Sequence, residues 1–229
     1  NITSFMRCLL TIETSLETAL LCISRNGELL KSSSNYSQKD HASWLQPALE
    51  KLLEDAGISF SDLNAIAVVA GPGSYTGLRV GMASAKGLCY ALKVPLILLD
   101  NLYVLAASYL HHTDKGIICP MIDARRMEVF TAVYDSSKNT LMAPAALVLE
   151  PDSFDKWINM EPLFFIGNGA AKYKVLLKSA NAFFPEWQPG AIDFVRIAQE
   201  MYDKGEFAEL AYAEPFYVKA FYDPAKAKS

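Results

Sequence analysis

Short apolar runs separated by polar turns open the chain: residues 8–12, closed by Glu13-Thr14-Ser15, then 19–23, then Arg25-Asn26-Gly27-Glu28 and a third segment over 29–34. Runs of this length bounded by turn residues predict strands. Asn26-Gly27 supplies the positive backbone angles of a type I′ turn, so the three are predicted to form an antiparallel meander with a polar loop between the first two. The period then changes. Trp44, Leu45, Ala48, Leu49, Leu52, Leu53 and Ala56 recur at helical spacing up to Gly57, with Asp40 or Ser43 as cap. Pro47 should bend this helix or mark its first turn. A fully apolar strand over 65–70 runs into Gly71-Pro72-Gly73-Ser74 and a second helix reaching about Leu92, after which Pro95 introduces a strand at 96–99. Strand, helix, strand in this order predicts parallel pairing.

A second series follows: a helix near 102–111, strands near 117–123 and 128–134, a short strand near 145–149, a helix from Asp152, a strand at 163–166, and helices near 170–177 and 192–204. This predicts a second α/β half. No strict repeat, charge run or low-complexity linker divides the halves, so the reading is two closely packed lobes, 6–105 and 106–220. Residues 1–5 precede Met6-Arg7 and are left out of the fold reading, as a remnant or a misassigned start.

Composition narrows the class. The chain has 229 residues, 52% of them hydrophobic and 20% charged, enough for a sizeable core and too apolar for intrinsic disorder. Its apolar runs, such as 65–70, fall far below the ~18 residues of a membrane-crossing helix, and no charged-then-apolar signal segment is seen. A soluble, cytoplasmic protein with no membrane contact is the expectation. A net charge of −4 argues against a basic face for RNA or DNA. Cys8, Cys22, Cys89 and Cys119 lack CxxC spacing and sit in apolar stretches, as buried thiols of a reducing compartment do.

The densest chemical signal is the stretch Gly71-Pro72-Gly73-Ser74-Tyr75-Thr76-Gly77-Leu78-Arg79-Val80-Gly81, at the exit of a buried strand and the start of a helix. Free N–H groups and the helix dipole there favour an anion, with Ser74 or Thr76 adding a hydroxyl. The spacing matches neither a Walker loop nor G-x-G-x-x-G, and Pro72 occupies a glycine slot of a nucleophile elbow. A Ser74 nucleophile would also need one of only three histidines, His41, His111 and His112, as base. Gly73, Gly77, Gly81 and Ala85 fall four apart and make one smooth ridge, flanked by Leu78, Met82, Cys89 and Leu92. Because glycine costs ~1 kcal/mol in a helix interior, another helix of the same chain or a partner must use the ridge, and we read it as a partner surface. Glu13-Thr14-Ser15 is a phosphate or metal-water loop or a polar turn. His111-His112 are read as capping a helix end before Asp114-Lys115-Gly116, and His41 as exposed. The charges of Asp123-Ala124-Arg125-Arg126-Met127-Glu128 pair with one another or line an interlobe cleft.

Four segments in order, Leu9-Leu10-Thr11-Ile12-Glu13-Thr14-Ser15, the glycine stretch 71–81, Ile122-Asp123-Ala124-Arg125 and Ala213-Glu214-Pro215-Phe216-Tyr217, resemble the TsaB family, also called YeaZ, over about residues 6–217. The resemblance implies an actin-like two-lobed α/β fold and a non-catalytic subunit of the machinery that makes threonylcarbamoyladenosine at position 37 of tRNAs decoding ANN codons. It implies a heterodimer with the catalytic relative TsaD, TsaE joining the assembled pair, a homodimer when alone, and tRNA contact only through the complex. TsaD carries a metal-binding H-x-x-x-H where this chain reads Leu96-Ile97-Leu98-Leu99-Asp100-Asn101-Leu102-Tyr103-Val104-Leu105, so no metal, cofactor or catalytic residue is expected. By the resemblance, the first-lobe helices form the partner surface, with Trp44, Leu45, Leu49, Leu52, Gly73, Tyr75, Gly77, Leu78, Gly81, Met82, Ala85 and Cys89 as its residues. Glu13, Thr14, Ser15, Gly71, Gly73 and Ser74 are then vestigial phosphate loops, Glu13 departing from the family's usual Asp by one methylene. The rival readings are an actin-like ATPase or sugar kinase, and a metallopeptidase of the same superfamily.

Overall fold

The structure, a computed structural model, describes residues 7–113 and 116–218. The opening residues and Asp114-Lys115 of the expected helix end lie outside them. The first lobe contains β1 (Cys8–Glu13), β2 (Ala19–Arg25), β3 (Glu28–Asn35), α1 (His41–Ala56), β4 (Leu63–Gly71), α2 (Tyr75–Leu92) and β5 (Leu96–Asp100). Its sheet has the order β3-β2-β1-β4-β5. The first three strands form the expected antiparallel meander, and β4 and β5 run parallel to β1. Asn26 and Gly27 turn the hairpin at φ 51° and 79°.

After α3 (Asn101–Leu110) come β6 (Ile117–Asp123), β7 (Glu128–Tyr134), β8 (Thr140–Val148), α4 (Asp155–Ile158), β9 (Leu163–Ile166), α5 (Ala170–Lys174), β10 (Ala182–Phe183) and α6 (Ala191–Lys204). The second sheet, β10-β9-β6-β7-β8, is again a meander followed by two parallel strands. The two sheets therefore share one topology, that of the actin-like α/β fold.

Helices cover both faces of the first sheet, which is why β1 and β4 read as continuous apolar runs. On one face Leu10, Ile12, Leu21, Ile66 and Val68 meet α1 and α2 through Leu45, Leu49, Met82 and Ala85. On the other, Leu9, Ala67 and Val69 meet Val104 and Ala107 of α3 and Phe194, Ile197 and Ala198 of α6. Helix α6 thus returns from the C-terminal half to pack on the first sheet, and a division at residue 105 falls inside α3. The expected boundary follows chain order; packing does not.

The structure corrects the expected partner surface. Leu45, Leu49 and Leu52 of α1, and Gly77, Leu78, Gly81, Met82, Ala85 and Cys89 of α2, are all buried. A Cβ on Gly77 would run into the Thr14 carbonyl, one on Gly81 into the Thr14 hydroxyl, and one on Gly73 into Ser15. The glycine ridge lets α2 approach the β1–β2 loop of its own chain. The reason is simple: an amphipathic helix lying on a sheet has one apolar stripe, and the sheet takes it. Of the expected surface, Trp44 and Gly73 remain half-buried and Tyr75 is exposed.

The outward face of α2 is a different row. Thr76, Ala83, Gly87 and Ala91 are exposed and Val80 and Ser84 half-buried, again mostly small residues. A Cβ on Gly87 meets nothing within 4 Å. All four cysteines are free and buried, and burial pushes the Cys22 and Cys119 thiols up to about 12.

Candidate functional site between the lobes

Glu13, the last residue of β1, is 1% exposed. Its Oε1 accepts from the Ser15 N–H, from Ser15 Oγ (2.8 Å) and from the Leu16 N–H (2.9 Å), folding the β1–β2 loop around the carboxylate. Oε2 is buried without a partner. Burial pushes the Glu13 carboxyl up to about 7, against the lowering effect of those three bonds.

The same loop is tied to the glycine segment. Thr14 Oγ1 donates to the Gly77 carbonyl (2.7 Å), and the Ser74 N–H donates to the Ser15 carbonyl (2.7 Å). Asn101 Nδ2, at the first turn of α3, donates to both Ser15 Oγ (2.8 Å) and the Pro72 carbonyl (2.9 Å). Ser74 caps α2 through the Gly77 N–H. His41 is a correction: it is buried, with Nδ1 3.2 Å from the Thr14 carbonyl, because α1 begins beside the loop. A carbonyl only accepts, so Nδ1 carries the proton, and Nε2 is left without a partner.

These contacts decide what the loops can hold. An anion at the start of α2 needs open space and free N–H groups. Here the Ser15 side chain fills the space beside Gly73, and its carbonyl takes the Ser74 N–H. Of the Glu13 carboxylate, Oε1 is taken up by the amides of its own loop, while Oε2 is not. At Gly73 and Ser74 themselves, Ser15 thus occupies the place an anion would take, while Ser74, Tyr75 and Thr76 also border open space between the lobes. Among the described residues no three His, Cys, Asp or Glu side chains converge as metal ligands. His111 is the exposed C-cap residue of α3, but it caps through its backbone N–H, and desolvation with Arg196 and Lys138 nearby holds its ring below the usual imidazole range, against the cationic cap expected; the ring of His112 lies 4.4 Å from Trp187.

A cavity of about 650 Å³ opens between the lobes, lined by Ser74, Tyr75 and Thr76 from the first and Asp123, Arg125 and Asn168 from the second. Of the two roles expected for the 123–128 segment, the structure shows the second, lining the cleft, and gives Asp123 an ion pair with Lys172 from outside the segment. Asp123 Oδ1 accepts from the Arg125 N–H (2.6 Å) and from Lys172 Nζ (2.7 Å), and both Asp123 and Arg125 line the cleft. On the other side of Leu16 and Asn168 lies a second cavity of about 370 Å³, with Glu13 in its wall.

The buried carboxyl makes stability depend on pH. Because the folded value is about 7 against 4.5 unperturbed, the folded state binds more protons between these limits, and stability falls as pH rises through that window. Below it neither state is charged; above it the full desolvation cost stands, about 3 kcal/mol at 1.36 kcal/mol per unit. Glu13→Gln does not titrate. Its stability relative to the parent is expected to rise by about 3 kcal/mol between acid and pH 8, measured by urea denaturation, whereas a constant difference would contradict the assignment.

Similarity to known proteins agrees with this architecture. The sequence model of the family described as TsaD, tRNA N6-adenosine threonylcarbamoyltransferase, matches residues 32–213. The tRNA threonylcarbamoyladenosine biosynthesis protein TsaB of Bacillus subtilis is 32% identical over 177 residues, 74% of this chain and 75% of that one. TsaB of Escherichia coli is 26% identical over 220 residues, 92% and 94% of the two chains. The solved structure of YeaZ from Pseudomonas aeruginosa superposes with a TM-score of 0.80 at 27% identity, covering 93% of this chain and all of that one. The chain, with its closed loops on an actin-like frame, belongs to the TsaB (YeaZ) family of tRNA threonylcarbamoyladenosine biosynthesis proteins.

Proposed function

We propose that the chain is the non-catalytic partner of TsaD, binding it in the cytoplasm and enabling threonylcarbamoyl transfer to adenosine 37 of ANN-decoding tRNAs. The observation that carries this reading is the closure of the two loops on each other, Ser74 N–H to Ser15 carbonyl and Thr14 Oγ1 to Gly77 carbonyl. An ATPase or sugar kinase would need that space for phosphate, and a metallopeptidase would need a ligand set at its metal. TsaE joins the assembled pair, tRNA is reached only through it, and in the absence of TsaD the same surface pairs two copies of this chain.

The surface we assign to TsaD is the outward face of α2, Thr76, Val80, Ala83, Gly87 and Ala91, with Trp44 and Tyr75 at its flanks. Small side chains there allow a partner helix to approach closely. The flank towards α1 is fixed by Gln46 Nε2 donating to Ser84 Oγ (3.1 Å), and the other by Lys86 Nζ donating to the Ala213 carbonyl (2.8 Å). Because the TsaD sequence model matches this chain over 32–213, the partner shares its fold, and like helices can meet across a pseudo-twofold axis. Mixing the purified chain with TsaD should give a stoichiometric complex by light scattering after size exclusion. Two separate species at micromolar concentration would overturn the proposal.

A further inference from the structure

We propose that the cavity beside Glu13 is a binding site for a small amphipathic amine, its ammonium group meeting Glu13 and its apolar body lying between the lobes. The cavity holds about 370 Å³. Its walls come from the β1–β2 loop, β2 and β3 on one side, and from α3, β6, the turn after β9 and the start of α6 on the other.

Chemistry selects the ligand. Two carboxylates, Glu13 and Glu17, line the cavity, and no Lys, Arg or His does, so an anion would meet only like charge. Leu16, Leu20, Leu105, Ile122 and Phe194 supply an apolar wall, which a bare inorganic cation would leave unused. Glu13 is 1% exposed, its Oε1 committed to three loop donors and its Oε2 without any. Buried carboxylate oxygens are almost always hydrogen-bonded, so this unpartnered oxygen, on a residue of the cavity wall, calls for a donor from outside the chain. An ammonium group supplies donors and charge together, and in this partly dry site their pairing is stronger than at the surface. A lone water would satisfy Oε2 but not the apolar wall or the carboxylate pair. The inference stands apart from the docking surface on α2, none of whose residues line this cavity.

Phenethylamine is the probe, with 2-phenylethanol and 3-phenylpropanoate as neutral and anionic counterparts, each titrated into the full chain at pH 8 and followed by backbone amide shifts and calorimetry. Phenethylamine is expected to bind and to move the amides of Asn168, Gly190 and Ala191, while the propanoate does neither. Glu13→Gln should weaken it at least tenfold (about 1.4 kcal/mol) with the amide spectrum otherwise folded. Should that variant fail to fold, Ser34→Phe narrows the cavity from β3 without touching Glu13 and should also weaken binding at least tenfold. The proposal is overturned if the alcohol binds as tightly as the amine, if Glu13→Gln or Ser34→Phe leaves binding unchanged, or if no amine binding is seen up to about 10 mM.

Discussion

Gly77→Ala is expected to destabilise the monomer by about 3 kcal/mol, although alanine is the better helix former by ~1 kcal/mol. The added methyl would enter the space of the Thr14 backbone carbonyl, which no rotamer change can clear. Helix α2 would have to retreat, straining the core and breaking Thr14 Oγ1 to Gly77 carbonyl and Ser74 N–H to Ser15 carbonyl. Overpacking costs ~1–3 kcal/mol and each buried polar group left unpaired ~1–3 more, so the helix gain is outweighed. Gly87→Ala, the same change ten residues along the same helix, meets open space and should stabilise by up to ~1 kcal/mol. Urea denaturation of both variants checks the pair. Equal effects at the two positions would contradict the inward orientation of the ridge.

The second large effect is on association. Gly87→Leu places a bulky side chain on the outward row of α2, where the monomer has room for it. Monomer stability should hold or rise, whereas in a close helix pair overpacking costs ~1–3 kcal/mol, roughly a five- to hundredfold loss of affinity for TsaD. Titration calorimetry alongside thermal melts separates the two. Unchanged affinity would remove α2 from the interface.

Strands buried on both sides were legible as apolar runs, and the hairpin from Asn26-Gly27, because in each case local chemistry and burial agree. Edge elements were not. Strand β8 begins at Thr140, earlier than expected, because as an edge strand it is only partly buried and tolerates Pro144, so no alternation marks it. Strand β10 is two residues long and leaves no period to read. The second α/β half was legible, but the matching strand order of its sheet was not, because the two sheets share a pairing pattern without a repeated sequence.

The loops that meet, 13–15 and 71–77, were picked out, and so was the need for something to fill the space beside the glycines. What was misjudged was direction. Gly77 and Gly81 lie on the same stripe as Leu78, Met82 and Cys89, and that company already points inward, to the sheet. His41 and Asn101 gave no signal as site residues, since their contacts, to Thr14 and to Ser15 and Pro72, join segments far apart in the chain.

The central claim, that this chain enables TsaD without doing chemistry itself, is tested most directly by reconstituting modification of an ANN-decoding tRNA from TsaD, TsaE, threonylcarbamoyl-adenylate and this chain. Product should fall to background when the chain is omitted and fall with affinity for Gly87→Leu, while the chain with tRNA and adenylate but no TsaD makes none. Full product without the chain, or turnover by the chain alone, would contradict the account.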